Sequence, residues 1–251
     1  MLKNVFPPHL DYLKDPNIVW FNPCWGYFGF WKRIREFRVE QGIDFQTAWM
    51  DRSMKRNKEI YATSLLALSM RQDAPTKNGW WLTKPQQDPP DGVIGTVIET
   101  PNGNIIKVRE VEVVEHFNGS VLETLKNKME NKRYEPNTAL ICLMSPNSTY
   151  VFDFISLSQQ IKNAGFPLMY IFVVFHGIEL SSIPQNPTVE DLIKTTLVQL
   201  TPEYVVISSS PHNACKMWRE GNEKSFLNFL GRSRDTGLQE IKVDTPPKLF
   251  D

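Results

Sequence analysis

The chain has 251 residues, 41% of them hydrophobic, and its 28 basic and 28 acidic side chains cancel to a formal charge of zero. That suffices to bury the core of one large domain or two small ones, and it excludes the globally basic surface of a tight non-specific nucleic-acid binder while leaving room for a local basic groove. No apolar run reaches the roughly 18 residues of a membrane span, Met1–Pro8 does not read as a signal peptide, and the three cysteines (Cys24, Cys142, Cys215) form no CxxC pair, which points to reduced thiols, a cytoplasmic setting and no zinc site.

Residues 1–24 read as irregular, because Pro7-Pro8, Asp15-Pro16 and Asn22-Pro23 interrupt regular structure. The aromatic residues from Trp20 to Trp31 read as a packing segment, with a base-stacking surface as the alternative. A basic helix is expected from Tyr27 to Gln41, closed by Gly42. A second should run from about Phe45 to Gln72, capped by Asp44. Its first half carries Arg52, Lys55, Arg56 and Lys58, and its second half, from Ala62 to Met70, is apolar. With Lys32, Arg33, Arg35 and Arg38 these cations form either a phosphate-binding surface or two solvated helix faces. Gly79 to Thr83 reads as a short strand, and Asp88, three residues before Asp91, is a second-choice ligand.

The most informative stretch comes next. Pro89-Pro90-Asp91-Gly92 leads into an apolar run, a turn at Pro101-Asn102-Gly103-Asn104, and a second run from Ile105 to Val114. Asn-Gly between two β-rich runs predicts a hairpin. Asp91 then stands at its mouth, and Glu110 and Glu112 share one face of its second strand, because side chains alternate. Carboxylates among Ile105, Ile106, Val108, Val113 and Val114 carry a desolvation cost unless something positive pairs with them, and a hard divalent cation is one such partner. A solvated edge hairpin is the alternative.

Downstream, Ser120 caps a helix expected from Val121 to about Arg133, and Thr138–Met144 reads as a strand buried on both faces. A helix from Val151 to Ala164, a strand from Pro167 to Phe175, a helix from Thr188 to Leu200 and a strand from Tyr204 to Ser208 would complete a parallel β-α-β-α-β layer. A last helix is expected from about Glu223 to Leu230, before a polar tail. His116 reads as a surface side chain and His176 as a structural one. Ser208–Ser210 with His212 lacks a nucleophile elbow, and no glycine-rich phosphate loop follows any strand.

Pro90-Asp91, a hairpin and an acidic pair in its second strand, followed by a helix and a buried strand, resemble the PD-(D/E)XK nuclease superfamily, to which many restriction and repair endonucleases belong. The resemblance implies a restriction-endonuclease-like α/β fold: a three-layer core with a mixed sheet flanked by helices, plus an N-terminal helical extension. It implies Asp91, Glu110 and the carbonyl of Val111 as ligands of Mg²⁺ or Mn²⁺, with Glu59 added from the preceding helix. A salt bridge is the alternative for Glu59. Where the family usually has a lysine two residues after the second acid, this chain has Glu112. Either Glu112 serves directly, as in a minority of similar enzymes, or a lysine arrives from the next helix (Lys126 or Lys128), or activity is lost. Lys107 lies on the opposite strand face. Expected partners are nucleic acid, DNA rather than RNA, bound with help from Arg52, Lys55, Arg56 and Lys128, and a second copy of the chain, since duplex cutting usually takes two sites. The implied division is an aromatic-rich, basic segment over 1–44, the α/β domain over 45–231 and a tail over 232–251. A fold that has lost its chemistry and serves as a binding or scaffold module is the competing function. A nucleotide-sensing α/β enzyme is a third reading, opposed by the missing phosphate loop.

Overall fold

The computed structural model describes residues 8–14, 18, 20–70, 80–85, 89–100, 103–130, 132–146, 153–167, 170–177 and 194–208. The helices are α1 (Pro23–Gln41), α2 (Phe45–Met50), α3 (Lys55–Ser69), α4 (Val121–Glu130) and α5 (Phe154–Asn163). The strands are β1 (Trp81–Thr83), β2 (Gly92–Thr100), β3 (Gly103–His116), β4 (Ala139–Met144), β5 (Tyr170–Gly177), β6 (Lys194–Thr201) and β7 (Val205–Ser208). Among the described residues they form one mixed seven-stranded sheet in chain order. The chain divides into two compact units: Met1–Arg33, Asn57–Glu110 and Pro211–Asp251 make the first, Ile34–Arg56 and Val111–Ser210 the second.

In the first unit, β1 pairs antiparallel with β2, Trp81 opposite Gly95 and Thr83 opposite Val93. Phe21 extends this edge by exchanging both backbone hydrogen bonds with Leu82, at 2.9 and 3.1 Å. Two residues separate β2 from its neighbour β3, a connection short enough to permit only an antiparallel pair. The aromatic segment is a packing element. Trp20, Phe21, Tyr27 and Phe30 are buried, and Tyr27 and Phe30 stack on Tyr61 of α3 at 5.6 and 4.5 Å. A Cβ on Gly26 would collide with the Ser64 side chain, so α1 and α3 approach closely where α1 lacks a side chain.

In the second unit, β3 and β4 are parallel, with Glu112 opposite Leu140, and β4 and β5 are parallel. Leu140, Cys142 and Met144 meet Val121, Leu125 and Met129 of α4 and Leu157 and Ile161 of α5 in one apolar cluster. The alternate residues Ala139, Ile141 and Leu143 are buried as well, as expected of an interior strand. On the face of β5 opposite Phe175, the His176 ring meets Trp49 of α2 edge-on at 5.3 Å.

Four elements depart from the sequence-based expectation. The helix expected from Phe45 to Gln72 breaks at Asp51, whose side chain accepts from the Ser53 backbone N–H at 2.8 Å and caps a short 3-10 turn. The helix expected only from Tyr27 begins at Pro23. Proline at a first helical position needs no partner for an N–H, and Asn22 Oδ1 accepts from the Cys24 N–H at 2.8 Å. Lys194–Thr201, expected to be helical, is a strand antiparallel to β5, and β7 runs antiparallel to β6. Half of its Lys-Thr-Thr-Leu-Val-Gln-Leu-Thr sequence is β-branched, and that preference, with the pairing to β5, prevails over the helix signal. The 188–193 part of that expected helix and the whole expected helix at 223–230 lie outside the described residues.

Candidate active site

In the first unit, Asp91 immediately precedes β2 and is 5% exposed. The next residue, Gly92, faces α3 so closely that a Cβ there would stand 2.6 Å from Thr63 Oγ1. The Thr63 hydroxyl in turn donates to the Glu59 carbonyl at 2.8 Å, one helical turn back. The seating of α3 on β2 thus fixes where Glu59 stands. Glu59 is buried, and its Oε2 lies 2.6 Å from Lys84 Nζ, the two side chains being 8% and 15% exposed. Lys84 directly follows β1, whose last rung pairs Thr83 with Val93. Of the two roles considered for Glu59, the salt bridge is formed, with a lysine.

Glu110 is half-buried in β3. The Tyr12 hydroxyl donates to its Oε1 at 2.9 Å, from a 3-10 segment over Pro8–Lys14. Burial, then the neighbouring Glu110 charge and this hydrogen bond, hold the Tyr12 phenol protonated well above its ordinary range. This docked turn lies within the stretch 1–24 that reads as irregular in sequence. Its signal is Leu10 and Leu13, both buried, at the three-residue spacing of one helical face.

In the second unit, Glu112 is fully buried and its Oε2 lies 2.8 Å from Lys128 Nζ. The Tyr134 hydroxyl donates to the same oxygen at 3.4 Å. Val111 is fully buried at the first rung of the β3–β4 pair, opposite Ala139. Of the two lysines on α4, Lys128 is the one at a carboxylate of the acidic motif. Lys126 instead pairs on the helix surface with Glu123 at 3.3 Å, the side chains 36% and 61% exposed. Arg52, Lys55 and Arg56 are exposed, whereas Lys58 is buried.

Among the described residues no group of three or more His, Cys, Asp and Glu side chains is arranged to hold a metal ion. Mg²⁺ commonly takes one or two carboxylates and completes its shell with waters and substrate phosphate oxygens, so the donor types at Asp91 and Glu110 suit it. Asp88 lies outside the described residues.

His116 is buried rather than on the surface. Its Nδ1 lies 2.9 Å from Thr124 Oγ1, and burial lowers its pKa. Burial lowers that of His176 to about 4, so both rings are neutral at pH 7. Cys142 is a free buried thiol, pushed up to about 12 by burial and hence inert at neutral pH. Cys24 is disulfide-bonded, against the expectation of three reduced thiols, and that removes the cysteine argument for a cytoplasmic setting. Cys24 is buried at the start of α1, and odd cysteine number and wide spacing carry no information about such proximity. Among the described residues no helix is long and apolar enough to cross a membrane.

The sequence reading missed Tyr12, Lys84 and Tyr134. Lys84 had a signal: a lysine closing the apolar run Trp80–Leu82 and followed by Pro85. Tyr12 and Tyr134 had none that distinguishes them from other tyrosines. The chain matches no protein-family model, no curated protein and no solved structure.

Proposed function

We propose that this chain is a metal-dependent endonuclease, hydrolysing phosphodiester bonds of nucleic acid, DNA in preference to RNA, on a restriction-endonuclease-like three-layer core. The supporting observation is the order and placement of elements around the acids. A buried Asp91 opens β2, Glu110 and Glu112 follow in the adjacent β3, and α4 then leads into the buried β4, parallel to β3. In this reading Asp91 and Glu110 hold Mg²⁺ or Mn²⁺, which supplies a Lewis acid for the phosphoryl oxygen and a more acidic bound water. Tyr12 orients Glu110 through its hydroxyl. Glu112, engaged with Lys128 and Tyr134, locks α4 to β3. Arg52, Lys55 and Arg56 contact the phosphate backbone, and a homodimer presents two sites to the two strands of a duplex.

The test is incubation of the full chain with supercoiled plasmid and, separately, with structured RNA, in Mg²⁺, Mn²⁺ or chelator. Metal-dependent nicking or linearisation of the plasmid, abolished by Asp91→Asn and Glu110→Gln, is expected. Chelator-resistant cleavage, or cleavage retained by both variants, contradicts the proposal.

A second reading has an observation of its own. Glu110 and Glu112 already have hydrogen-bonding partners in Tyr12, Lys128 and Tyr134. A chain that has lost its chemistry and acts as a binding or scaffold module would keep the fold and such contacts. It would bind nucleic acid or protein without metal-dependent cleavage.

A further inference from the structure

Pro8–Lys14 is a 3-10 segment of seven residues. Helices of this kind have poorer hydrogen-bond geometry than α-helices and are seldom longer than about three or four residues, so this one is ordered by what it packs on. Pro7 and Pro16 bracket it, which disfavours a longer, self-sustaining helix. Leu10 and Leu13, both buried, anchor it through packing, and that anchor does not sense the chemistry nearby. Tyr12 supplies an anchor that does. Its hydroxyl donates to Glu110 Oε1 at 2.9 Å, across 98 residues of chain, and Glu110 is the carboxylate that the proposed function assigns to a divalent cation. Both residues belong to the first compact unit. An ionised carboxylate has about four lone-pair sites on its two oxygens, so one phenol O–H leaves acceptor capacity for an ion. Hydrogen bonds that orient a ligating side chain typically change metal affinity by about 10–100-fold.

We infer that Tyr12 is a positioning residue for the cation at Glu110, and that the Pro8–Lys14 segment is thereby coupled to the ion: occupancy fastens the segment, and a detached segment loosens the ion. The inference rests on the reading of Asp91 and Glu110 as metal ligands. With the segment docked, Glu110 is held in one arrangement before the ion arrives. With it detached, the cost of ordering the side chain falls on binding itself. The coupling works equally in both directions by thermodynamic necessity. The segment therefore adds regulation to the site, because anything that removes or captures residues 8–14 lowers metal occupancy.

The experiment titrates Mn²⁺ into wild type, Tyr12→Phe and Glu110→Gln by calorimetry, and follows trypsin cleavage after Lys14 in each, with and without Mn²⁺. Tyr12→Phe keeps the ring and removes only the donor, and metal-free urea unfolding verifies that it folds. The cleavage rates in Glu110→Gln correct for any effect of Mn²⁺ on trypsin itself. Tyr12→Phe should bind Mn²⁺ about 10–100-fold more weakly than wild type, and Glu110→Gln should lose binding. Saturating Mn²⁺ should slow wild-type cleavage by up to the same factor and leave the rate in Tyr12→Phe nearly unchanged. If Tyr12→Phe binds Mn²⁺ as wild type does, or if Mn²⁺ binds wild type without slowing cleavage, the inference falls while the metal site stands. If wild type binds no Mn²⁺, the metal site falls and the inference falls with it.

Discussion

Neutralising Lys128 should unfold the protein far more readily than neutralising Lys126, although the two lie two residues apart on α4. Glu112 is fully buried and its carboxylate meets the Lys128 ammonium at 2.8 Å, with 19% of the lysine side chain exposed. At that distance the gross attraction is about 6 kcal/mol with an effective dielectric near 20. Removing one partner of a buried pair costs about 3–5 kcal/mol, because the remaining charge keeps its desolvation penalty. Tyr134 still donates to Glu112, and the ammonium retains some solvent, so the lower figure applies. Lys128→Met, which keeps the aliphatic stem, should cost about 3 kcal/mol. For a chain of this size that is a fall in Tm of roughly 6–12 °C. The Lys126–Glu123 pair is an exposed surface pair, worth at most about 0.5 kcal/mol and screened by salt. Lys126→Met should therefore shift Tm by less than about 2 °C. The assay is thermal and urea unfolding at low and high NaCl, with Glu112→Gln/Lys128→Met as the control that removes both charges. A Lys128→Met loss below about 1 kcal/mol, or one erased by salt, would refute the placement of a buried, structural pair.

Three further outcomes are expected. Gly92→Ala should cost about 1–3 kcal/mol through overpacking, because its Cβ would stand 2.6 Å from Thr63 Oγ1, and Thr63→Ala added to it should restore more than half of that in urea unfolding; the absence of any loss would show that α3 is not seated on β2 at this point. His176, at about 4 when folded against an ordinary 6.5, is neutral in the folded chain and stabilises it above pH 6.5; that contribution, up to roughly 3 kcal/mol, should disappear as pH falls from 6.5 to 4, and His176→Gln should flatten that part of the unfolding-versus-pH curve. Reversing the exposed charges Arg52, Lys55 and Arg56 to glutamate should weaken duplex binding and reduce the slope of log affinity against log salt by about one unit for each phosphate no longer neutralised; an unchanged slope would make them a solvated face.

What could be read from the sequence was what a short window encodes. The hairpin announced itself through Asn102-Gly103, α4 through Ser120 and its apolar stripe, and β4 through an unbroken apolar run. What could not be read depends on neighbours distant in the chain. Glu112 reads as the second member of an acidic pair in β3, yet its role is set by Lys128 on the following helix and by Tyr134 beyond it. Glu110 is bonded by a tyrosine 98 residues away, and the partner of Glu59 is 25 residues away. Lys194–Thr201 failed for a different reason. Thr188, Glu190 and Asp191 mimic a helix start ahead of it, and that signal masked the β-branched run that pairs with β5.

The proposed function requires that Asp91 and Glu110 bind a hard divalent cation in the folded chain. It is tested most directly by unfolding wild type and Asp91→Asn with and without Mn²⁺. An ion that binds only the folded state stabilises it by about 2.7 kcal/mol at a hundredfold excess over Kd, or roughly 5–11 °C in Tm. A shift of that order is expected for wild type, saturable in Mn²⁺, and none for Asp91→Asn. Equal shifts in both proteins, or none in wild type at millimolar Mn²⁺, would contradict it.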